Sequence, residues 1–234
     1  MRFKDLKVNS ENIFHFRTWP KVSRYNYTDR NISLDLYMGK AEETRQYIIE
    51  KSAEVFNIKG YDSTSLTDLQ TAIGLTKGAI YGNFATKNEL AIAAFEHNAS
   101  FIYSRIKTVV DEQPSAEAAL LAVADYYQKN WRKLFERGGC PMLNAAVEAD
   151  DHLDYLKKSV RHSMNRIMTL LQSTIKRGQT NGEFNTAISP EKYAAIMFTI
   201  VEGGILLAKT MNDPKYLNLI KERIDLIIDQ ELKL

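Results

Sequence analysis

Residues 64–90 read TSLTDLQTAIGLTKGAIYGNFATKNEL, and they contain the clearest structural signals in the chain. Apolar residues recur at helical spacing in the first half, at Leu66, Leu69 and Ile73. Ser65 and Asp68 resemble a capping box, Gly74 ends the first helix, and Thr76 can cap a second. Two short helices joined by a glycine-containing turn predict a helix-turn-helix, whose second helix enters the major groove of DNA.

A longer pattern surrounds this segment. It consists of Ile48, Ile49, Phe56, Gly60, Tyr61, Thr64, Ser65, Leu66, Leu69, Gly74, Leu75, Lys77, Gly78, Ile80, Tyr81, Phe84, Lys87 and Leu90. The pattern resembles the DNA-binding domain of TetR-family transcriptional regulators, and it is far more specific than a bare helix-turn-helix. The resemblance implies an all-α homodimer whose C-terminal domain senses a small ligand.

The chain divides into three parts on these grounds. Residues 40–86 form the predicted three-helix DNA-binding domain, with a first helix over about 41–57, and residues 87–234 form a helical domain for effector binding and dimerisation. Residues 1–39 show no sustained period. Three hypotheses stand for them: an incorrectly assigned start before Met38, a basic arm that grips DNA, or a poorly ordered terminus without a role.

The predicted contacts with DNA cluster at the second helix of the motif. Thr76, Lys77 and Gly78 open that helix, where base edges come within reach. Three further positions match family positions that bind backbone phosphates, and they are Thr64, Tyr81 and Lys87. Asn83 is expected on the same side and is a further candidate for a phosphate contact. For Thr64 a capping role, for Tyr81 a packing role and for Lys87 simple solvation remain open.

The C-terminal part gives weaker signals. By resemblance it should enclose an effector cavity, and the candidate lining residues are Phe101, Tyr126, Tyr127, Trp131, Met142, Asn144, Glu148 and Phe198. Ordinary core or interface packing is the alternative for each of them, and an internal salt bridge or solvent exposure for Glu148. The apolar residues of the last two helices predict a four-helix dimer interface, made by Phe198, Val201, Ile205, Leu217, Ile220, Ile224 and Ile227. Completion of the monomer core is the alternative there.

Composition narrows the class of protein. The chain has 234 residues, of which 44% are hydrophobic and 26% charged, as in ordinary globular proteins. We found no apolar run near the ~18 residues of a membrane span and no signal peptide, and Cys140 is the single cysteine. A bacterial cytoplasmic protein without a membrane partner or cofactor is therefore expected. Residues 40–98 carry six basic and eight acidic groups, so placed contacts rather than a strong basic field must hold DNA.

Other functions have little support in the sequence. Cys140 could act as a nucleophile with His97, His152 or His162 as base, but no spacing favours this, and Arg137 is its single nearby basic residue. The acids around residues 148–154 diverge around a helix and predict a solvated cluster rather than a metal site.

The sequence thus predicts a non-enzymatic, ligand-responsive repressor that binds a palindromic operator as a homodimer. An activator or a regulator without a small ligand is the alternative, and outside regulation a helical enzyme or structural module.

Overall fold

A computed structural model describes residues 29–233, with side chains from residue 39 onward. In this part of the chain the structure is helical, and no strand is present. The helices are α1 (Asp29–Lys59), α2 (Leu66–Ile73), α3 (Lys77–Tyr81), α4 (Lys87–Asp111), α5 (Ala116–Glu136), α6 (Pro141–Asp151), α7 (Asp154–Thr180), α8 (Pro190–Thr210) and α9 (Lys215–Ile227). A π-helical turn, Ile228–Leu232, extends α9. The all-α fold class predicted from the sequence is confirmed.

The first helix is longer than predicted. We expected it over residues 41–57, whereas α1 begins at Asp29 and continues through Gly39. The sequence before Lys40 has no apolar period, so hydrophobic periodicity does not predict the start of this helix. The hypotheses about a basic arm and an incorrect start fall largely on residues 1–28, which lie outside the described residues.

Local signals account for the start and end of α2 and α3. The Ser65 hydroxyl accepts a hydrogen bond from the Asp68 amide at 3.1 Å, and the Asp68 carboxylate accepts one from the Ser65 amide at 2.9 Å. This is the reciprocal capping box that the sequence predicted. Gly74 ends α2 at φ 73°, a left-handed conformation that favours glycine. Thr76 caps α3 by accepting from the Ala79 amide at 3.3 Å. The turn between the helices is therefore determined by residues within it.

An aromatic cluster lies beside the helix-turn-helix. Tyr61 stacks on Phe56 with ring centroids 5.3 Å apart, and the centroid of the Phe95 ring lies 6.3 Å from that of Tyr61 in an edge-on arrangement. Arg45 places its guanidinium 4.5 Å from the centroid of the buried Phe84 ring. Because Phe95 belongs to α4, this cluster also joins the motif to the helix that begins the C-terminal part.

The remaining helices form a bundle around one core. Helix α7 packs on α4, α6 and α8, while α9 packs on α5 and α8. Gly204 permits the close approach of α8 and α9, because a β-carbon at that position would overlap the Ile220 side chain. The short α6 lies against α4 and α7. Helix α6 matters for the site, because side chains at different points along it contact different residues of the first helix and of the turn after it.

Helix α8 corrects one exclusion made from the sequence. Over an 18-residue window its mean hydropathy is 1.4, so by length and composition it is apolar enough to cross a membrane. Glu202 interrupts the apolar run of this helix, although the average over the window stays high. Core helices of soluble proteins pass the same test, and a third of this window is buried in the described molecule. The hydropathy of α8 alone therefore carries no conclusion about a membrane.

Candidate DNA-binding face and effector cavity

The start of α3 is exposed, as a recognition helix requires. Thr76, Lys77 and Gly78 all lie at the surface, and the Thr76 side chain is used as the helix cap. Tyr81, one turn later, is 38% exposed, and the Lys77 ammonium lies 5.8 Å from its ring centroid. Ile80 points inward from the same helix and is buried. The buried side of α3 packs against the rest of the protein, and its polar side is exposed to solvent.

Two further predicted contacts are partly engaged within the protein. The Asn83 side-chain amide donates to the Ala79 carbonyl at 2.9 Å, which caps the end of α3. The Lys87 ammonium donates to the Asp62 carbonyl at 2.9 Å. An ammonium has three N–H donors, so Lys87 retains donors for a phosphate while the first bond holds it in place.

Thr64 is a correction. Its side chain has no exposed surface, and its hydroxyl donates to the Gly60 carbonyl at 2.5 Å. A buried hydroxyl with that bond cannot reach a phosphate in this conformation. The Thr64 hydroxyl closes the turn after α1 instead, and Ser65 rather than Thr64 caps α2, so the capping alternative for Thr64 is wrong as well.

Helix α6 binds the DNA-binding part through two polar side chains. The Glu148 carboxylate accepts from the amides of Tyr61 and Asp62, at 2.9 and 2.8 Å. Nearer the start of α6, the Asn144 amide donates to the Asn57 carbonyl at 3.1 Å. Asn57 in turn donates to the carbonyl of Arg137, the residue that follows α5, at 2.5 Å. Charged hydrogen bonds of the Glu148 kind are among the stronger ones in proteins.

A cavity lies beside this junction. Its volume is about 550 Å³, in the range of small-molecule sites. It is lined by Glu54, Asn57, Asn98, Phe101, Ile102, Arg105, Thr108, Val109, Tyr126, Asn130, Lys133, Leu134, Glu136, Arg137, Gly139 and Pro141. These residues come from α1, α4, α5 and the turn into α6. The cavity therefore touches both the first helix of the DNA-binding part and the start of the helix that carries Glu148.

Known proteins with the same arrangement identify the family. Residues 48–94 match the model of bacterial regulatory proteins of the tetR family, and residues 116–224 match the tetracyclin repressor-like C-terminal domain. A solved TetR-family transcriptional regulator from Cytophaga hutchinsonii is 38% identical, with a TM-score of 0.78 over 81% of this chain and 95% of that one. This chain belongs to the TetR family of transcriptional regulators.

Two more distant similarities illustrate what such regulators do. The HTH-type transcriptional repressor DhaR of a Mycobacterium species (strain GP1) is 22% identical over 165 residues, covering 70% of this chain and 82% of that protein. The solved TetR-family regulator CifR, a cysteine mutant bound to a 26-base-pair operator, is 19% identical. Its TM-score is 0.70, and the alignment covers 86% of this chain and 97% of CifR. At that identity the likeness to CifR shows the fold alone.

Two of the eight predicted effector contacts line the cavity of this TetR-family chain, Phe101 and Tyr126. Tyr127 and Met142 are buried in the core instead, and Phe198 packs against that core from α8. Trp131 packs on Phe135 and lines a separate cleft of about 310 Å³. These four predictions are wrong for the described cavity, because helical spacing gives a residue's face but not which helix covers that face.

Asn144 and Glu148 are further corrections, and they acquire a different role. Both use their polar groups to hold the DNA-binding part, and neither lines the cavity. The sequence singled out Glu148 for its apolar neighbours, which was a sound reason to expect a bound carboxylate. Its partners are backbone amides, and amides leave no trace in the side-chain pattern.

The residues of the predicted dimer interface lie mostly in the interior of the single chain. Six of its seven residues are at most 3% exposed in the single chain, and they are Val201, Ile205, Leu217, Ile220, Ile224 and Ile227. Phe198 is half-buried. The alternative that these helices complete the monomer core is therefore correct for this stripe, because α9 turns it toward α5 and α8. The exposed apolar residues lie on other faces, at Leu206, Leu207, Met211, Leu219 and Leu226.

The single cysteine is buried, and its thiol is held in the neutral form. Its thiol donates to the Glu202 carboxylate at 3.2 Å, and burial raises the pKa of the Cys140 thiol well above its usual value. A neutral buried thiol is a poor nucleophile and a poor redox sensor. Among the side chains that the structure describes, no three His, Cys, Asp or Glu residues lie together in a way that could hold a metal ion.

The cations of the cavity are what sequence reasoning missed. Arg105, Lys133 and Arg137 all line it. Arg105 follows Phe101 by four positions, so the shared helix face was readable from the sequence. Arg137 comes from the end of α5, and its proximity to Phe101 required the tertiary structure.

Proposed function

We propose that this TetR-family regulator is a homodimeric repressor that binds a palindromic operator and leaves it when a small molecule occupies the cavity. The observation that carries the proposal is the position of the cavity. Its wall includes Glu54 and Asn57 of α1, and α1 is part of the domain that presents α3. A ligand there contacts the DNA-binding part directly, so binding and DNA affinity are coupled if the two states differ in that wall.

DNA recognition is assigned to the exposed side of α3 and to Lys87. We assign base contacts to Lys77 and close backbone approach to Gly78, while Thr76 shapes the start of the helix. Tyr81 and Lys87 are assigned to phosphates, and Asn83 to a secondary phosphate contact through its remaining N–H. The bound operator of CifR supports this use of the fold.

Dimerisation is assigned to the outer surfaces of α8 and α9, defined by Gly203, Leu206, Leu207, Leu219 and Leu226. The four leucines are between 44% and 53% exposed in the single chain. A β-carbon at Gly203 would meet nothing within 4 Å, so this mid-helix glycine faces open space. An interior glycine costs a helix about 0.5–1 kcal/mol relative to alanine, and close approach of a second helix is a reason to retain it.

DNA binding is tested by two lysine variants. The operator is first recovered by genomic footprinting at fixed salt, and affinities are then measured by fluorescence anisotropy over a salt series. Lys87→Ala should weaken binding to all duplexes and reduce the slope of log K against log salt by about 0.9, the share of one phosphate. Lys77→Ala should lower operator affinity about tenfold and relax base preference, because one base contact is worth ~1–3 kcal/mol.

Lys176→Ala is the matched control, since it removes an exposed lysine from α7, on a helix outside the proposed face. Operator binding by both test variants at the control's affinity and salt slope would refute the assignment of α3.

Sedimentation of the Leu207→Glu variant tests the dimer interface, with Val147→Glu, at an exposed position of α6, as the control. We expect Leu207→Glu to shift the protein toward monomer and Val147→Glu to leave it a dimer.

A further inference from the structure

Part of the cavity lining is apolar. Phe101, Ile102 and Val109 come from α4, and Tyr126 and Leu134 come from α5. Aromatic and branched side chains of this kind bind the hydrocarbon body of a ligand without fixing its polar groups. The nature of the ligand must therefore be decided by the charged groups that share the space.

Two guanidinium groups converge on one ring of this surface. The Cζ atoms of Arg105 and Arg137 each lie 5.2 Å from the centroid of Phe101. The two arginines come from different helices, α4 and the end of α5, so the convergence is a product of packing. Lys133 adds a third cation to the lining. Among the side chains of residues 39–233, none of the three forms an ion pair with a carboxylate within 4.0 Å.

The carboxylates of the cavity do not cancel this charge. Glu54 and Glu136 also line it, which leaves three cations against two anions. The Tyr126 hydroxyl is subject to part of this charge. Burial raises its pKa, and the charges that act on it are those of Arg105 and Arg137, which lower it. The field beside Phe101 and Tyr126 is therefore positive.

We infer that the cavity takes an amphipathic organic anion, an aromatic or alkyl carboxylate whose body lies on Phe101 and whose carboxylate is held by Arg105 and Arg137. The forked guanidinium group matches the two oxygens of a carboxylate, and the partly enclosed surroundings strengthen the pairing. A cationic ligand of the same shape would meet two like charges at the same place. This inference names the effector class of the cavity and rests on the proposed function.

The test uses three naphthalene compounds that share a body and differ in charge. They are 2-naphthoate, 2-naphthylmethanol and 2-naphthylmethylamine, and their binding to the full-length protein is measured by calorimetry at fixed salt. We expect 2-naphthoate to bind about tenfold more tightly than the alcohol, from the added charged hydrogen bonds. The amine should bind most weakly. Equal affinities, or tightest binding by the amine, would overturn the inference.

Variants locate the charge preference. Arg105→Gln should reduce naphthoate affinity about tenfold and leave the alcohol unchanged, while Arg105→Lys should retain most of the preference. Arg132→Gln is the matched control, because its guanidinium lies over Trp131 and does not line the cavity. If Arg105→Gln and Arg132→Gln bind naphthoate equally well, the anion is not held where we place it.

The operator distinguishes this inference from the proposed function. Charge-selective binding of naphthoate by a protein that protects no operator would refute the repressor and leave the anion site standing. Operator binding without any charge preference in the cavity would do the reverse. Release of the operator by naphthoate, with the alcohol weaker and the amine inert, is the result expected from both together.

Discussion

The helix-turn-helix and the proposed effector cavity differ in the distance over which their residues act. In residues 64–90, Ser65, Gly74 and Thr76 each determine a helix end a few positions away. The cavity instead combines α1, α4 and α5, and Phe101 meets Arg137 across 36 positions of sequence. The geometry of the helix-turn-helix is therefore locally encoded in this chain, while the cavity depends on how the helices pack.

Two left-handed glycines give the clearest test of that difference. Gly74 in the motif has φ 73°, and a β-carbon there would meet nothing within 4 Å. Gly138 has φ 94°, and a β-carbon there would lie 2.5 Å from the Asn57 carbonyl oxygen. Gly74→Ala should cost about 1 kcal/mol, from backbone strain alone. Gly138→Ala should cost about 4 kcal/mol or more, because it also forces α1 away from the turn into α6.

Urea unfolding at fixed protein concentration measures both variants. Gly182→Ala, at φ 75° and likewise without neighbours within 4 Å, repeats the strain without the contact and serves as the control. If Gly138→Ala lost no more stability than Gly74→Ala, the junction between the two regions would be far looser than the contacts of Asn57 indicate.

The helix-turn-helix and the buried interior of α8 should respond to pH with opposite sign. Burial raises the pKa of Glu202 in α8 from 4.5 to about 7. Between those values the folded chain keeps a proton that the unfolded chain releases, so the free energy of unfolding falls as pH rises and the loss is complete above pH 7. The loss is roughly 3 kcal/mol. Glu202→Gln should therefore be more stable than the parent at about pH 8 and close to it at about pH 4.

Asp68 in the motif provides the contrast. Its hydrogen bonds from Lys59 and then from Ser65 lower its pKa, so its contribution to stability is lost as pH falls. Unfolding curves from about pH 2 to about pH 8 check both residues, with the exposed Glu222→Gln in α9 as a control for Glu202. A parent and a Glu202→Gln variant with parallel pH profiles would show that Glu202 is solvated in solution.

Glu148 offers a smaller effect at the point where the regions meet. Glu148→Gln replaces one accepting oxygen with an NH₂ group that faces an amide donor, so one of the bonds to Tyr61 and Asp62 is lost. We expect a cost of about 1–2 kcal/mol. Hydrogen exchange at the Tyr61 and Asp62 amides should quicken in this variant.

Asp150→Asn, at an exposed position of the same helix, is the control for that measurement. Unchanged exchange at both amides in Glu148→Gln would mean that α6 does not hold the turn through this carboxylate. Operator affinity measured on the same samples then shows whether the hydrogen bonds from Tyr61 and Asp62 to Glu148 help to position α3.

Prediction from the sequence succeeded where a residue acts on its own helix. The capping box, the left-handed Gly74 and the exposed start of α3 follow from residues within one or two turns. It failed for Thr64, whose hydroxyl donates a hydrogen bond to the Gly60 carbonyl, and for the start of α1. At Thr64 a neighbouring backbone group takes up the hydroxyl, and before Lys40 a helix forms without the apolar period that would have predicted it.

An all-α TetR-family regulator, with the second helix of its helix-turn-helix at Lys77–Tyr81, could be predicted from the order of residues along the chain. The sequence alone did not show which apolar stripes face inward. In the folded bundle, the stripe from Leu217 to Ile227 lies in the core of the single chain. Folding also brings Arg105 and Arg137 to Phe101, and Glu148 to the turn after α1. The difference is one of range, because caps and turns act within a few residues, whereas burial and charge depend on which helices become neighbours.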